Sequence, residues 1–292
     1  MPYLIHLAIL IGIYAILGLS LNLVVGYTGL LSVAQAAFYG VGAYVTALLM
    51  VDAGYNFFVA MLAGIILTGI VALLLGMVLS RFRGDYYALA SLGFGIIIYS
   101  IFLNWQNLTG GPLGIPGIPR PMIELGFMRY ELSSNLSFLV MVIVLVIVIY
   151  LLSRFIVRSS FGRVLKAIRE DESAIQVFGY RTIYYKLSVF VMGAMMAAVA
   201  GSLYAAYITY IDPSTFTVSE SIFIIAIIIL GGLASLRGSI FGAVFLVLLP
   251  EFLRFVGFPD EVAAQMRQAV YGLLLVLLML YRPEGLVGEY KL

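Results

Sequence analysis

Nine stretches of almost uninterrupted apolar residues, each of the length that crosses a bilayer's hydrocarbon core of roughly 30 Å, dominate this chain. They lie near 3–25, 30–50, 57–79, 86–104, 136–155, 187–209, 220–236, 239–256 and 268–281. In lipid every backbone polar group must be satisfied within the protein, and continuous apolar runs of this length meet that demand as helices. The expected fold is all-α: a polytopic membrane protein of about eight to nine transmembrane helices, forming one membrane domain over residues 1–292. Segments 30–50 and 220–236 are the weakest, because their ends are rich in Gly and small polar residues. Composition agrees, with 63% hydrophobic and only 10% charged residues where a soluble domain has about a quarter charged. The first run lacks the basic start and cleavage site of a signal peptide and is expected to be retained.

The residues that are missing exclude several kinds of chemistry. There is no cysteine and a single histidine, His6, so disulfides, thiolate nucleophiles and Cys/His metal sites are set aside. No GxxxxGK[ST], HExxH or GxSxG occurs, so the chain is expected to be no enzyme and to carry no cofactor or metal of its own. A formal charge of +2 gives no reason to expect nucleic acid as a partner. No Asp or Glu falls in the middle of an expected span, which leaves a proton relay without parts.

Charge is concentrated in one place. Residues 158–186 hold six of the 16 Lys and Arg (Arg158, Arg163, Lys166, Arg169, Arg181, Lys186) and the acids Glu170, Asp171 and Glu172. Such a segment belongs in water, since a charge at the bilayer centre costs about 2.5–3.5 kcal/mol even on a lenient scale. Its apolar residues Phe161, Val164, Leu165 and Ile168 recur at helical spacing, and Ile175 with Phe178 continue the stripe. Ser159 or Ser160 suits the cap of a first short helix, Asp171 or Ser173 that of a second, and Gly179 a stop. We read two amphipathic helices that dock a partner polypeptide; the competing use is a basic connector lying on membrane lipid.

If this loop is cytoplasmic, twelve of the 16 basic residues fall inside: those six with Arg81, Arg83, Arg154, Arg237, Arg282 and Lys291. Arg120, Arg129, Arg254 and Arg267 fall outside, among acids such as Glu124, Glu131, Asp212, Glu220, Asp260 and Glu261. The bias follows the positive-inside rule and places the C-terminus in the cytoplasm. The long outer connection 105–135, with Pro112, Pro116, Pro119 and Pro121, reads as a fixed irregular loop.

The two halves echo each other. Gly29-Leu30-Leu31-Ser32 with Phe38 stands 203 residues before Gly232-Leu233-Ala234-Ser235 with Phe241, each opening a small-residue helix after a glycine break. Interrupted helices in corresponding halves point to a transport pathway. Asn22, Ser32, Gln35, Ser235 and Arg237 stand at these breaks and are candidates to line it, or to satisfy the backbone groups the breaks set free.

The loop sequence GRVLKAIREDESAIQVFGY resembles that of the permease subunits of branched-chain amino acid ABC importers, specifically the M-type subunit of the leucine, isoleucine and valine system. LNLVVGYTGLLSVAQAAFYGVGAY, FRGDYYALASLGFG, LTGGPLGIPG, DPSTFTVSESI, LGGLASLRGSIFGA and YGLLLVLLMLYRPEGL extend the resemblance from about Leu21 onward. It implies a fold of two related halves in the larger, vitamin-importer-like class of ABC permeases. It also implies an inner-membrane subunit paired with a homologous H-type permease, two cytoplasmic ATP-binding subunits and an extracytoplasmic solute-binding protein. In that family the ATPase-coupling motif falls here on Glu172, Ala174 and Gly179, preceded by Gly162, Arg163, Lys166, Arg169, Glu170 and Asp171. Ser173 stands where the general pattern has its first Ala, the Glu to Gly spacing is one residue longer, and Gln35 replaces a frequent His. The implied function is ATP-driven uptake of branched-chain, hydrophobic amino acids through alternating access. The residues alone also admit a self-contained sodium-coupled or facilitative transporter of a small apolar solute, or a scaffold without a pathway.

Overall fold

The computed structural model describes residues 2–82, 84–125, 128–131 and 134–254, with positions 272, 273, 276 and 285. The expected span 268–281 falls almost wholly outside the described residues, and Asp260, Glu261, Arg267, Arg282, Lys291 and the C-terminus lie outside them too. Among the described residues five helices are long and apolar enough to cross a membrane. The first is α1 (Pro2–Leu21), carried on by a π-helical turn at Asn22–Gly26 so that Tyr3–Gly26 forms one 24-residue stretch. The others are α3 (Phe57–Leu79), α4 (Asp85–Asn104), α6 (Asn135–Arg158) and α9 (Thr182–Ile208). Between them stand α2 (Gln35–Val51), the four-residue α5 (Gln106–Thr109), and two short helices after α6: α7 (Ser160–Glu170) and α8 (Glu172–Val177). The described chain closes with α10 (Val218–Gly231) and α11 (Leu236–Arg254).

Local chemistry starts these helices where they start. Asn56 Oδ1 accepts from the Phe58 N–H at 3.1 Å and opens α3, and Ser134 Oγ accepts from the Ser137 N–H at 3.1 Å and opens α6. On α3, Leu62, Ile66, Ile70, Leu74 and Val78 recur every fourth residue, and all are exposed. Val144, Ile147, Val148, Leu151 and Phe155, which share one face at spacings of three and four, are likewise exposed on α6. An outward face of this kind faces acyl chains rather than water.

The core is α9, wrapped by α1, α2 and α3. Small residues let the backbones approach: a Cβ at Gly201 would overlap the Tyr39 carbonyl of α2, and one at Gly42 would overlap Ala198 of α9. The glycine and alanine stripe Gly193, Ala197, Ala200 and Gly201 is therefore a packing face.

Two expected spans are not continuous helices. In place of 30–50, residues 29–34 run as non-helical chain and α2 has only 17 residues, about 25 Å. In place of 220–236 and 239–256, α10 and α11 turn through 119° at residues 232–235. Among the described residues this gives five spanning helices, or six if the bent pair is one span, with the expected span 268–281 almost wholly outside those residues. Hydropathy registers apolar content but not where the backbone leaves the helix inside it.

At the opposite end from α7 and α8, the 105–135 connection carries short strands. Strand β1 (Ile115–Pro116) pairs antiparallel with β4 (Tyr210–Ile211), and β2 (Met122–Leu125) with β3 (Met128–Glu131). A 3-10 turn at Gly111–Leu113 precedes β1, and the Ile118 N–H donates to the Thr209 carbonyl at 3.1 Å. The proline-rich segment is thus pinned to the end of α9. After β4, a 3-10 turn at Pro213–Phe216 tucks Phe216 beneath Tyr39 and Tyr44. Glu220, expected at the outer surface, consequently lies deeper: its carboxylate accepts from Tyr14 Oη at 2.7 Å, midway along α1. A carboxyl therefore does stand inside the span region, against expectation.

Candidate functional site

The charged loop folds as two helices with the caps its sequence indicates. Ser159 Oγ accepts from the Gly162 N–H at 3.4 Å and opens α7. Asp171 Oδ1 accepts from the N–H groups of Ser173 and Ala174, at 2.8 and 3.0 Å, and opens α8. Gly179, at φ +84°, ends it. Of the stripe, Leu165 and Ile168 are buried and Phe161 lies against Tyr185. A Cβ on the buried Gly162 would overlap the carbonyls of Ile156 and Val157, so this glycine seats α7 against the end of α6.

The stripe does not continue as expected. Phe178 is 77% exposed and Val177 is 87% exposed, while Ala174 and Ile175 are half-buried. Asp171 adopts an extended backbone between the helices, so α8 starts a new axis and Phe178 falls past its end. The tip of the loop is an apolar knob beside the exposed Glu170 and Asp171, with Arg163 exposed on α7.

Several charges of the loop turn inward instead. Glu172 receives both Lys186 contacts at 2.8 Å, Thr182 Oγ1 at 2.9 Å and Gln176 Nε2 at 3.3 Å, which ties α8 to the first turn of α9. Lys186 is only 8% exposed at its side chain and Glu172 25%, so removing one partner strands a mostly buried charge. Glu172→Gln is expected to cost about 2 kcal/mol locally. Hydrogen exchange should show it as faster exchange confined to residues 172–186.

The remaining inward contacts reach the first break. Arg169 Nη1 donates to the carbonyl of Gly26, and the Lys166 ammonium lies 5.6 Å from the centre of the Tyr27 ring. Asn22, one turn earlier, reaches the second break: its Nδ2 donates to the carbonyls of Gly232 (3.3 Å) and Ser235 (3.0 Å) and to Ser239 Oγ (2.7 Å). Its Oδ1 accepts from the Ala234 N–H at 2.9 Å. The two breaks, far apart in sequence, are joined by one fully buried amide. A Cβ at Gly26 would collide with the Ala234 nitrogen, which is why the approach demands glycine.

The other candidates occupy the same region. Gln35 is buried and donates to Ser20 Oγ at 2.5 Å; Ser32 is buried, with the Ala34 N–H 3.5 Å from its hydroxyl. Ser235 is half-buried and accepts from the Gly238 N–H at 3.1 Å, whereas Arg237 is exposed. Free donors of the first break are met by serines that sequence reading did not single out: Ser91 accepts from the Val33 N–H at 2.9 Å and Ser221 from the Ala36 N–H at 3.0 Å. Their only signal in sequence was a hydroxyl inside an apolar run, the residue type that re-satisfies backbone freed in a membrane.

A helical membrane protein whose core joins two interrupted segments, and whose one amphipathic loop is braced against them, defines a multi-span permease class. The chain belongs to the family described as branched-chain amino acid transport system / permease component, which matches residues 3–279, and within it to the M-type ABC permeases. It is 38% identical to the high-affinity branched-chain amino acid transport system permease protein LivM of Salmonella typhimurium, over 94% of this chain and 68% of that protein. The Escherichia coli LivM protein is 36% identical over 97% and 69%. The permease protein LivH of Escherichia coli is 27% identical over 94% and 91%, so the chain fits an ABC permease with an H-type relative. No solved structure matches the chain. The chain is accordingly a multi-pass inner-membrane transport subunit rather than an enzyme.

Proposed function

We propose that this chain is one of the two transmembrane subunits of an ATP-driven importer of branched-chain amino acids, paired with an H-type permease, two cytoplasmic ATP-binding subunits and an extracytoplasmic solute-binding protein. The observation that carries the reading is the α7–α8 loop: its outward tip, Val177 and Phe178, is apolar and exposed, while its inward side is fastened to α9 and to the first helix break. A surface of this kind transmits a push. Closure of ATP-binding subunits on residues 158–186 would move α7, and Arg169 and Lys166 would pass that motion to Gly26 and Tyr27. Asn22 would pass it on to residues 232–235. Each nucleotide state would then favour one arrangement of the interrupted segments, which is alternating access as a population shift. The loop and the C-terminus are cytoplasmic in this reading, ATP is hydrolysed on the separate subunits, and the chain needs no cofactor.

Reconstitution tests it. Proteoliposomes holding this chain, its H-type partner and the ATP-binding subunits should accumulate labelled leucine only with ATP inside and binding protein outside. Uptake by this chain alone, driven by a sodium gradient, would overturn the reading in favour of a self-contained transporter. Because the chain has no cysteine, a single Phe178→Cys is expected to cross-link to an ATP-binding subunit.

A further inference from the structure

A cleft of about 480 Å³ opens beside the second break, where the end of α6, the middle of α7 and the start of α11 meet. Four cations from these three elements line it: Arg154 and Arg158, Lys166, and Arg237. Among the described residues no carboxylate lines it. Tyr150 and Tyr27 form part of its wall, and Ser235 its floor.

The cleft continues outward. A second hollow of about 380 Å³ shares Arg154 and Arg158 and is otherwise bounded by Leu151, Phe155 and Ser159. Leu151 is 54% and Phe155 75% exposed, on the face of α6 that meets acyl chains. The 24 residues of α6 extend about 36 Å, longer than the hydrocarbon core, so its last turn reaches headgroup level. A polar, cationic recess at that height, running into an apolar groove along the same helix, has the two-part chemistry of a phospholipid.

The geometry points to a binding site for one anionic phospholipid, its phosphate held by Arg154, Arg158, Lys166 and Arg237 and an acyl chain laid along Leu151 and Phe155. A basic recess between membrane helices is the general form of such sites. A lipid seated here would touch α6, α7 and the start of α11 together, so it would join the loop to the second break by a route independent of Asn22. The site does not depend on the transport reading, since occupancy is measured without turnover.

The purified complex in nanodiscs of phosphatidylcholine, with or without phosphatidylglycerol, provides the test, read by native mass spectrometry of lipid retained on this chain. Phosphatidylglycerol should be retained in preference to phosphatidylcholine. Arg154→Gln with Arg158→Gln should weaken retention about 25-fold, at roughly fivefold per lost cation. Arg154→Lys with Arg158→Lys, which keeps the charge, should largely restore it, and the control Arg81→Gln with Arg181→Gln, away from the cleft, should leave it unchanged. Equal retention of the two lipids, or equal loss in the control, would overturn the proposal. So would displacement of the lipid by millimolar inorganic phosphate, which would make the recess a site for a soluble anion.

Discussion

Val177→Asp with Phe178→Asp is expected to abolish ATP-driven leucine uptake while leaving the chain folded and inserted. Both side chains are more than three-quarters exposed, so they contribute little to the fold, and exposed substitutions of this sort usually lie within about 0.5 kcal/mol of neutral. On a docking surface the arithmetic reverses. Burying two large apolar side chains against a partner contributes about 1.5–3 kcal/mol each, and placing carboxylates there adds a desolvation penalty. Capture of the ATP-binding subunits should weaken by a factor of about 100 or more. Co-purification in mild detergent reads the capture and vesicle uptake reads the consequence. Full co-purification together with full uptake in the double variant would remove the loop tip from the coupling scheme.

Asn22→Leu should produce the largest loss of stability of any single change at the breaks. The amide donates to Gly232, Ser235 and Ser239 and accepts from Ala234, with no exposed surface. Leucine fills a similar volume and leaves the Gly232 carbonyl and the Ala234 N–H without this partner in a buried site, while the Ser235 carbonyl keeps the Ser239 N–H at 3.1 Å and Oγ at 3.3 Å. At about 1–3 kcal/mol for each orphaned group, and without full additivity, the cost should be about 3–4 kcal/mol. Thermal unfolding in detergent should show a clearly lower midpoint. Asn22→Asp keeps the acceptor for the Ala234 N–H and loses the donors, so it should fall between wild type and leucine. If leucine and wild type unfold together, the breaks are held by something other than this amide.

Hydropathy alone located most of the helices, because a bilayer leaves an apolar run of about 20 residues few alternatives. α3, α4, α6 and α9 begin and end within a few residues of their expected limits. The caps Ser159 and Asp171 and the stop at Gly179 were equally legible, since each satisfies backbone groups a few residues away. Phe178 was misplaced because a helical stripe was carried across Asp171, where the backbone leaves the helix and the axis changes. Glu220 was misplaced because the turn at Pro213–Phe216 carries the start of α10 inward, and no local pattern in an apolar run records depth.

Membrane residence, helical class, the amphipathic loop and its caps follow from composition and short-range spacing, which act within a turn or two of each residue. The pairing of Asn22 with residues 232–235, of Arg169 with Gly26, and the gathering of four cations into one cleft join positions up to about two hundred residues apart. Contacts over such separations arise only when packed helices bring distant segments together, so they became visible only once the chain was folded.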